Sequence, residues 1–239
     1  FNFLKHDIEF SNGLDQGSWI TGFNMDYADM NLDGRLDIIS SVWPSSVYIL
    51  YQPKYPYERW NIKKVGSIKP DRLVSVAVAD IDNDGVNEIV FGSNNGNLYI
   101  LTPFGTQELL HYSPGSIVGS PAIVDLDQDG DQEIVFNTFN IPNSTGKVYA
   151  IDHEGNDVDG FPVSINEKMM VGAAAGDLEA DGHPDIVVCT WDDNIYAIDH
   201  TGAVKEGFPV TSTNRFNAPR TLADLDGDGD LEIVAGNDS

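Results

Sequence analysis

The chain has 239 residues and carries 38 acidic against 13 basic side chains, a formal net charge of −25. So few Lys and Arg exclude nucleic acid as a partner, because that binding rests on cations neutralising phosphates. No apolar run approaches the roughly 18 residues of a membrane-spanning helix, no secretory leader is visible, and a single cysteine, Cys189, excludes an internal disulfide.

The first residue is Phe1 rather than Met, so a processed or trimmed product is expected. Residues 1–18 hold one strand-like piece, Leu4 to Phe10, and then a turn rich in Gly, Asn and Asp. From Trp19 a repeat begins. Its second copy reads most clearly: Ser75 to Ala79 is a strand of small and β-branched residues that leads into an acidic loop, and Glu88 to Gly92 leaves it. Asn97 to Leu101 and Gln107 to Tyr112 follow, separated by turn residues, which makes four short strands and one antiparallel blade.

The acidic loop recurs five times, at residues 29–37, 80–88, 125–133, 177–185 and 224–232, with first aspartates 51, 45, 52 and 47 positions apart. Periods of roughly 40–50 residues with several short strands per unit are the signature of propeller blades, so residues 1–239 read as one tandem array. The expected fold is all-β, a β-propeller of four-stranded antiparallel blades. A tyrosine in the third strand follows the first aspartate by 19 positions in three copies, at Tyr48, Tyr99 and Tyr196; in the third copy a longer loop moves it to Tyr149. First strands are rich in small residues, as in Val171 to Gly176, which suits the crowded centre of a disc. Cys189 lies in the apolar run Ile186 to Thr190 and is expected to pack as a small buried hydrophobe. Five blades closing head to tail fit the length. The strand inventory leaves the last blade short, so a three-stranded blade, a strand donated by another chain and a longer protein with more blades all stay open.

Loop chemistry follows from oxygen ligands around a tight turn. Positions 1, 3, 5, 7 and 9 are Asp29, Asn31, Asp33, Arg35 and Asp37 in loop 1, and Asp80, Asp82, Asp84, Val86 and Glu88 in loop 2. Loop 3 has Asp125, Asp127, Asp129, Asp131 and Glu133; loop 4 has Asp177, Glu179, Asp181, His183 and Asp185; loop 5 has Asp224, Asp226, Asp228, Asp230 and Glu232. The opening D-x-D-x-D-G matches an EF-hand loop, with side-chain oxygens at 1, 3 and 5, a backbone carbonyl at 7 and a glycine at 6. The closing acid comes at position 9 instead of 12, and strands flank the loop. Oxygen-only ligation favours a hard cation, and a flexible multi-carboxylate cage favours Ca2+ over Mg2+, up to five ions in all. Arg35 and Asn31 weaken loop 1, Glu179 distorts loop 4, and loops 3 and 5 are expected to bind most strongly.

These residues resemble the FG-GAP (VCBS-type) repeat family, the propeller repeats of integrin α-chains and of many secreted bacterial and archaeal proteins. Phe91-Gly92 after loop 2 and Gly119-Ser120-Pro121-Ala122 before loop 3 echo its name-giving pattern. The resemblance covers all five repeats and implies calcium in the aspartate loops between the first and second strands. Glu at position 9 of loops 2, 3 and 5 departs from the Asp frequent in the family.

Ligands of a propeller are expected on the opposite face. Fourteen positions after the first aspartates stand Trp43, Phe139 and Trp191, candidate sugar-stacking platforms. Trp19, Arg72, Lys168, Met169, Arg215 and Phe216 are candidates to rim the central opening there, while His153 and His200 read as hairpin-turn residues. No serine elbow, zinc motif or phosphate loop is present, so the chain is not expected to be an enzyme. Asn143 and Asn237 begin N-glycosylation acceptor triplets. The expected role is an extracellular or cell-surface recognition or adhesion propeller whose partner is a glycan or an extracellular protein. The alternatives are a polysaccharide lyase, with His6, His111 or a lysine as base, and a self-associating structural subunit of a surface layer or filament.

Overall fold

The computed structural model describes residues 19–43, 45–68, 73–140, 143, 145–214, 216 and 221–236, and every regular element among them is a β-strand. The first blade is β1 (Trp19–Ala28), β2 (Asp37–Trp43), β3 (Ser46–Tyr51) and β4 (Asn61–Ser67). The second is β5 (Leu73–Ala79), β6 (Glu88–Ser93), β7 (Asn97–Leu101) and β8 (Gln107–Tyr112). In the third, β9 (Ser116–Ile117) and β10 (Ala122–Val124) both pair with β11 (Glu133–Asn140), followed by β12 (Thr145–Ile151) and β13 (Val163–Ile165). The fourth is β14 (Ala174–Gly176), β15 (Asp185–Cys189), β16 (Asn194–Ile198) and β17 (Val210–Thr211), and β18 (Thr221–Ala223) with β19 (Glu232–Val234) begins the fifth. Within each sheet the order follows the chain and all pairings are antiparallel. The strand expected at Leu4 to Phe10 lies outside the described residues.

Alternation along the pleat gives every blade two apolar faces, and burying both requires a neighbour on either side. Ile39, Val47 and Ile49 of blade 1 pack with Val76, Ile89 and Phe91 of blade 2. Val90 and Leu98 of blade 2 pack with Ile134 and Phe136 of blade 3, and Val135 and Val148 of blade 3 with Ile186 and Val188 of blade 4. The recurring tyrosines occupy one structural position. Each stands directly opposite a β2-type residue: Ser40↔Tyr48, Phe91↔Tyr99, Phe136↔Tyr149 and Val188↔Tyr196. Tyr99 and Tyr149 stack on their cross-strand phenylalanines at 5.1 and 5.0 Å. Cys189 is buried, 2% exposed, as its apolar context requires.

First strands face one another in sequence, β1 by β5, β10 by β14 and β14 by β18, and β14 is small throughout, Ala174 to Gly176. At this inner rim, a Cβ on Gly172 would lie 2.2 Å from the Ser120 carbonyl oxygen. Polar ties also cross the blades: the Val78 N–H donates to Asp26 Oδ2 at 2.8 Å.

A candidate cation-binding face

All five acidic loops connect a first strand to a second, so they lie on the same face. Position 4 of each loop is left-handed: Leu32, Asn83, Gln128 and Ala180 have φ between 51° and 63°, and Gly227 has 83°. Position 6 is the glycine, at φ 83° to 102°. Two left-handed residues so close together curl the backbone so that its N–H groups point inward onto the carboxylates. The glycine at position 6 was legible from sequence; the left-handed position 4 was masked by ordinary residues such as Leu32 and Ala180.

Three bonds define the loop. The position-5 carboxylate accepts the N–H of position 7 in every copy, from Arg35, Val86, Asp131, His183 and Asp230. The position-9 carboxylate accepts the N–H of position 2, from Met30, Ile81, Leu126, Leu178 and Leu225. The position-3 oxygen accepts the N–H of position 5 in loops 1, 2, 3 and 5. In loop 4 the extra methylene of Glu179 breaks that turn, and the Asp181 N–H donates to Asp177 instead. Neighbouring loops are tied together. Asn83 Nδ2 donates to the Gly130 carbonyl at 2.6 Å and to Asp131 Oδ1 at 2.9 Å, and Gln128 bonds the Gly182 carbonyl.

The copies divide into two kinds. In loops 2, 3 and 5, oxygens of Asp80, Asp82 and Glu88, of Asp125, Asp127 and Glu133, and of Asp224, Asp226 and Glu232 lie within 4.8 Å of one another. In loops 2 and 3, moreover, Asp80 Oδ1 and Asp125 Oδ1 are buried with no hydrogen-bond partner. An orphaned carboxylate oxygen inside a carboxylate cluster is costly, and a divalent cation is the group whose chemistry removes that cost. Burial first, and the loop aspartates second, push the Glu88 and Glu133 carboxyls up to about 7, while bonds from Ile81 and Leu126 pull the other way. These two loops therefore fit an oxygen-seeking ion best. Loop 5 is more open: both Asp224 oxygens accept N–H groups, from Gly227 and Gly229. Loops 3 and 5, expected to bind most strongly, both gather such a cluster, and the orphaned oxygens lie in loops 2 and 3.

The carboxylates of loops 1 and 4 are partnered by the chain's own donors, from inside the loop and from beyond it. Asp29 accepts N–H groups on both oxygens, from Asp33 and Gly34, and Asp177 likewise from Asp181 and Gly182. Asp37, wholly buried, accepts from Met30 and Gln52, and the Arg35 guanidinium bonds Asp33. In loop 4 the Lys205 ammonium lies 2.7 and 2.9 Å from the two Asp185 oxygens and 3.2 Å from Glu179 Oε2. Nothing in the motif spacing marked Lys205, which arrives from the β16–β17 hairpin.

An acidic cleft of about 430 Å³ opens beside loop 3, lined by Asp127, Asp129, Glu133, Asp152, Asp157 and Val158. His153 and His200 sit in hairpin turns, as expected; His153 Nδ1 is 3.7 Å from Asp131 and His200 stacks on His183 at 4.2 Å.

On the opposite face one expected stacking platform, Phe139, meets a correction. Phe139 is only 7% exposed, and the Lys168 ammonium lies 4.7 Å from its ring and 3.5 Å from that of Trp191. The ammonium thus lies over one face of the Trp191 ring, where a stacked sugar would otherwise sit. Met169 and Phe216, expected at the rim, are buried in the core. Beside them Glu167 accepts bonds from Thr190, Asn194 and Tyr196 at 2.5 to 3.0 Å. Burial works upward on its carboxyl, but these donors outweigh it and hold the group below the usual value. His111 packs edge-on against Phe136 and Tyr149. Asn143 is exposed in the turn between β11 and β12. The side chains of Trp19 and Trp43, and His6, Arg72, Arg215 and Asn237, lie outside the described residues. No helix among the described residues is long and apolar enough to cross a membrane.

A family model described as FG-GAP-like repeat matches residues 29–91, 125–188 and 177–235. No curated protein matches. Among solved structures, BBS1N in complex with ARL6DN, soaked with mercury, aligns at a TM-score of 0.67 and 12% identity. The alignment covers 89% of this chain and 62% of that one; the lead-soaked form aligns at 0.62 and 14% with the same coverage. A protein of unknown function from Bacteroides caccae aligns at 0.50 and 12%, over 80% of this chain and 62% of that one. At such identities the likeness shows the fold, and the chain spans under two thirds of the length of these structures.

Proposed function

The chain belongs to the FG-GAP-like repeat family, and from that premise we propose that it is a calcium-stapled recognition propeller of the cell exterior. The observation that carries the calcium is the pair of buried, partnerless oxygens, Asp80 Oδ1 and Asp125 Oδ1, in loops otherwise closed by hydrogen bonds. Asp80, Asp82 and Glu88, and Asp125, Asp127 and Glu133, would hold the ions, with Asp224, Asp226 and Glu232 as a more open third set. A bound cation supplies two positive charges to a face where carboxylates would otherwise repel. The chain's own part is to aim oxygens inward, and the ties between neighbouring loops transmit the ordering from blade to blade. The disc then offers a rigid surface to a partner and performs no chemistry of its own.

For that partner we favour a protein over a glycan. Two of the three aromatic positions suited to sugar stacking, Phe139 and Trp191, are engaged by Lys168, and BBS1N, which shares the fold, is in complex with ARL6DN. Elemental analysis after exhaustive dialysis tests the ion reading; a protein carrying no calcium ends it. A panel of extracellular proteins and glycans, probed with and without chelator, tests recognition. Calcium-dependent capture of a protein supports the reading, and capture of glycans alone overturns the preference.

A further inference from the structure

The β12–β13 and β16–β17 hairpins, which stand beside loops 3 and 4, match residue by residue in sequence and in backbone bonding. Tyr149-Ala150-Ile151-Asp152-His153 matches Tyr196-Ala197-Ile198-Asp199-His200, and the same backbone bonds follow: Val158 N–H to the Ala150 carbonyl, Lys205 N–H to the Ala197 carbonyl, each at 2.9 Å. Val158 and Lys205 are therefore the same position in successive blades. Val158 lines the acidic cleft with Asp127 and Glu133 of loop 3. Lys205 reaches into loop 4, and its ammonium bridges Glu179 at position 3 and Asp185 at position 9, the pair that in loop 3 is Asp127 and Glu133.

We propose that Lys205 is the resident cation of loop 4, so that this loop takes no divalent ion. The side chain of Lys205 is 14% exposed and that of Asp185 3%, so the ammonium is held in place rather than waving in solvent. Its place is the one from which a metal would contact positions 3 and 9, and one volume cannot hold both. The other ligands agree. Both Asp177 oxygens accept N–H groups, where Asp125 of loop 3 keeps an orphan. Glu179 has abandoned the turn bond to position 5 that the other four loops make, and the length that distorts the turn lets its carboxylate reach the ammonium. A tethered ammonium cannot be diluted or chelated away, so blade 4 is closed whatever the calcium level. This deepens the calcium reading above and rests on it for the count of ions.

Reciprocal variants test the assignment. Calcium-loaded wild-type protein, freed of excess ion, is compared by elemental analysis with Lys205→Met and Val158→Lys. Lys205→Met is expected to hold one ion more per chain than wild type, and Val158→Lys one fewer. An unchanged count in Lys205→Met, with the variant shown to be folded by circular dichroism, overturns the proposal. A wild type that holds no ion ends the calcium reading but leaves Lys205 to be judged in chelator. There Lys205→Met, with Asp185 and Glu179 left without their cation, is expected to melt roughly 5 °C or more below wild type. No drop in chelator overturns the assignment. If Lys205→Met fails to fold, the loss of one ion in Val158→Lys carries the test alone: a retained ion refutes the equivalence of the two positions.

Discussion

Removing divalent cations at pH 7.5 should lower the melting temperature in proportion to the loops that hold them. Without an ion, each of loops 2 and 3 keeps a buried carboxylate oxygen with no partner, at Asp80 and Asp125. A ligand present at a hundredfold its dissociation constant stabilises by about 2.7 kcal/mol per site. In a chain of this size, 1 kcal/mol moves the melting temperature by roughly 2–4 °C. Loading loops 2 and 3 should therefore raise it by about 10–20 °C, with loop 5 adding a smaller increment because its ligands are exposed. The pH matters because Glu88 and Glu133, pushed up to about 7, offer charged oxygens fully only above that value. Differential scanning calorimetry in chelator and in millimolar calcium gives the difference directly. Asp125→Asn should recover about half of it, since the loop-3 cluster loses a charged ligand while loop 2 is untouched. Equal melting temperatures in chelator and calcium would refute the reasoning, as would an Asp125→Asn variant that responds in full.

Three further expectations concern the frame. Gly172→Ala should cost several kcal/mol or prevent folding, because its Cβ would lie 2.2 Å and 2.7 Å from backbone atoms of Ser120, which cannot step aside; chemical denaturation measures it, and a change under 1 kcal/mol would refute the close approach. Asp26→Ala removes the acceptor for the Val78 N–H between blades 1 and 2 and should cost about 1–3 kcal/mol by the same assay; a neutral effect would mean the bond adds nothing. Glu167 is held below its usual value of 4.5 by Thr190, Tyr196 and Asn194. Its contribution is thus present above pH 4.5 and lost as pH falls through the depressed folded value. Glu167→Gln should destabilise by about 1–3 kcal/mol at pH 7, with the gap to wild type closing in acid; a pH-independent gap would refute the ionised cluster.

Much of the fold was legible because a strand array writes its period into the chain. The five D-x-D-x-D-G-type loops, the recurring tyrosines and the small first-strand residues are local signals, and each depends on neighbours close in sequence. The structure adds the tyrosines' cross-strand partners, as in Phe91↔Tyr99 and Phe136↔Tyr149. Which loops gather their carboxylates closely was less legible. Glu88 and Glu133 looked like departures from a pattern, yet both reach the same backbone donor as the aspartates and still contribute an oxygen to the cluster. Phe139 shares its loop offset with Trp191, but the pleat turned it into the core.

The sequence by itself determined the number and spacing of the acidic loops, their oxygen chemistry and the all-β repeat, because those follow from residue type and interval along one chain. Only the tertiary structure decided which loops are left wanting a cation. That depends on whether a side chain from another hairpin arrives to satisfy the carboxylates, as Lys205 does for Asp185 and Glu179, 20 and 26 residues away. It depends equally on whether burial strands an oxygen without a partner, as it does at Asp80 and Asp125. Charge compensation acts through space, and the motif records only what is adjacent.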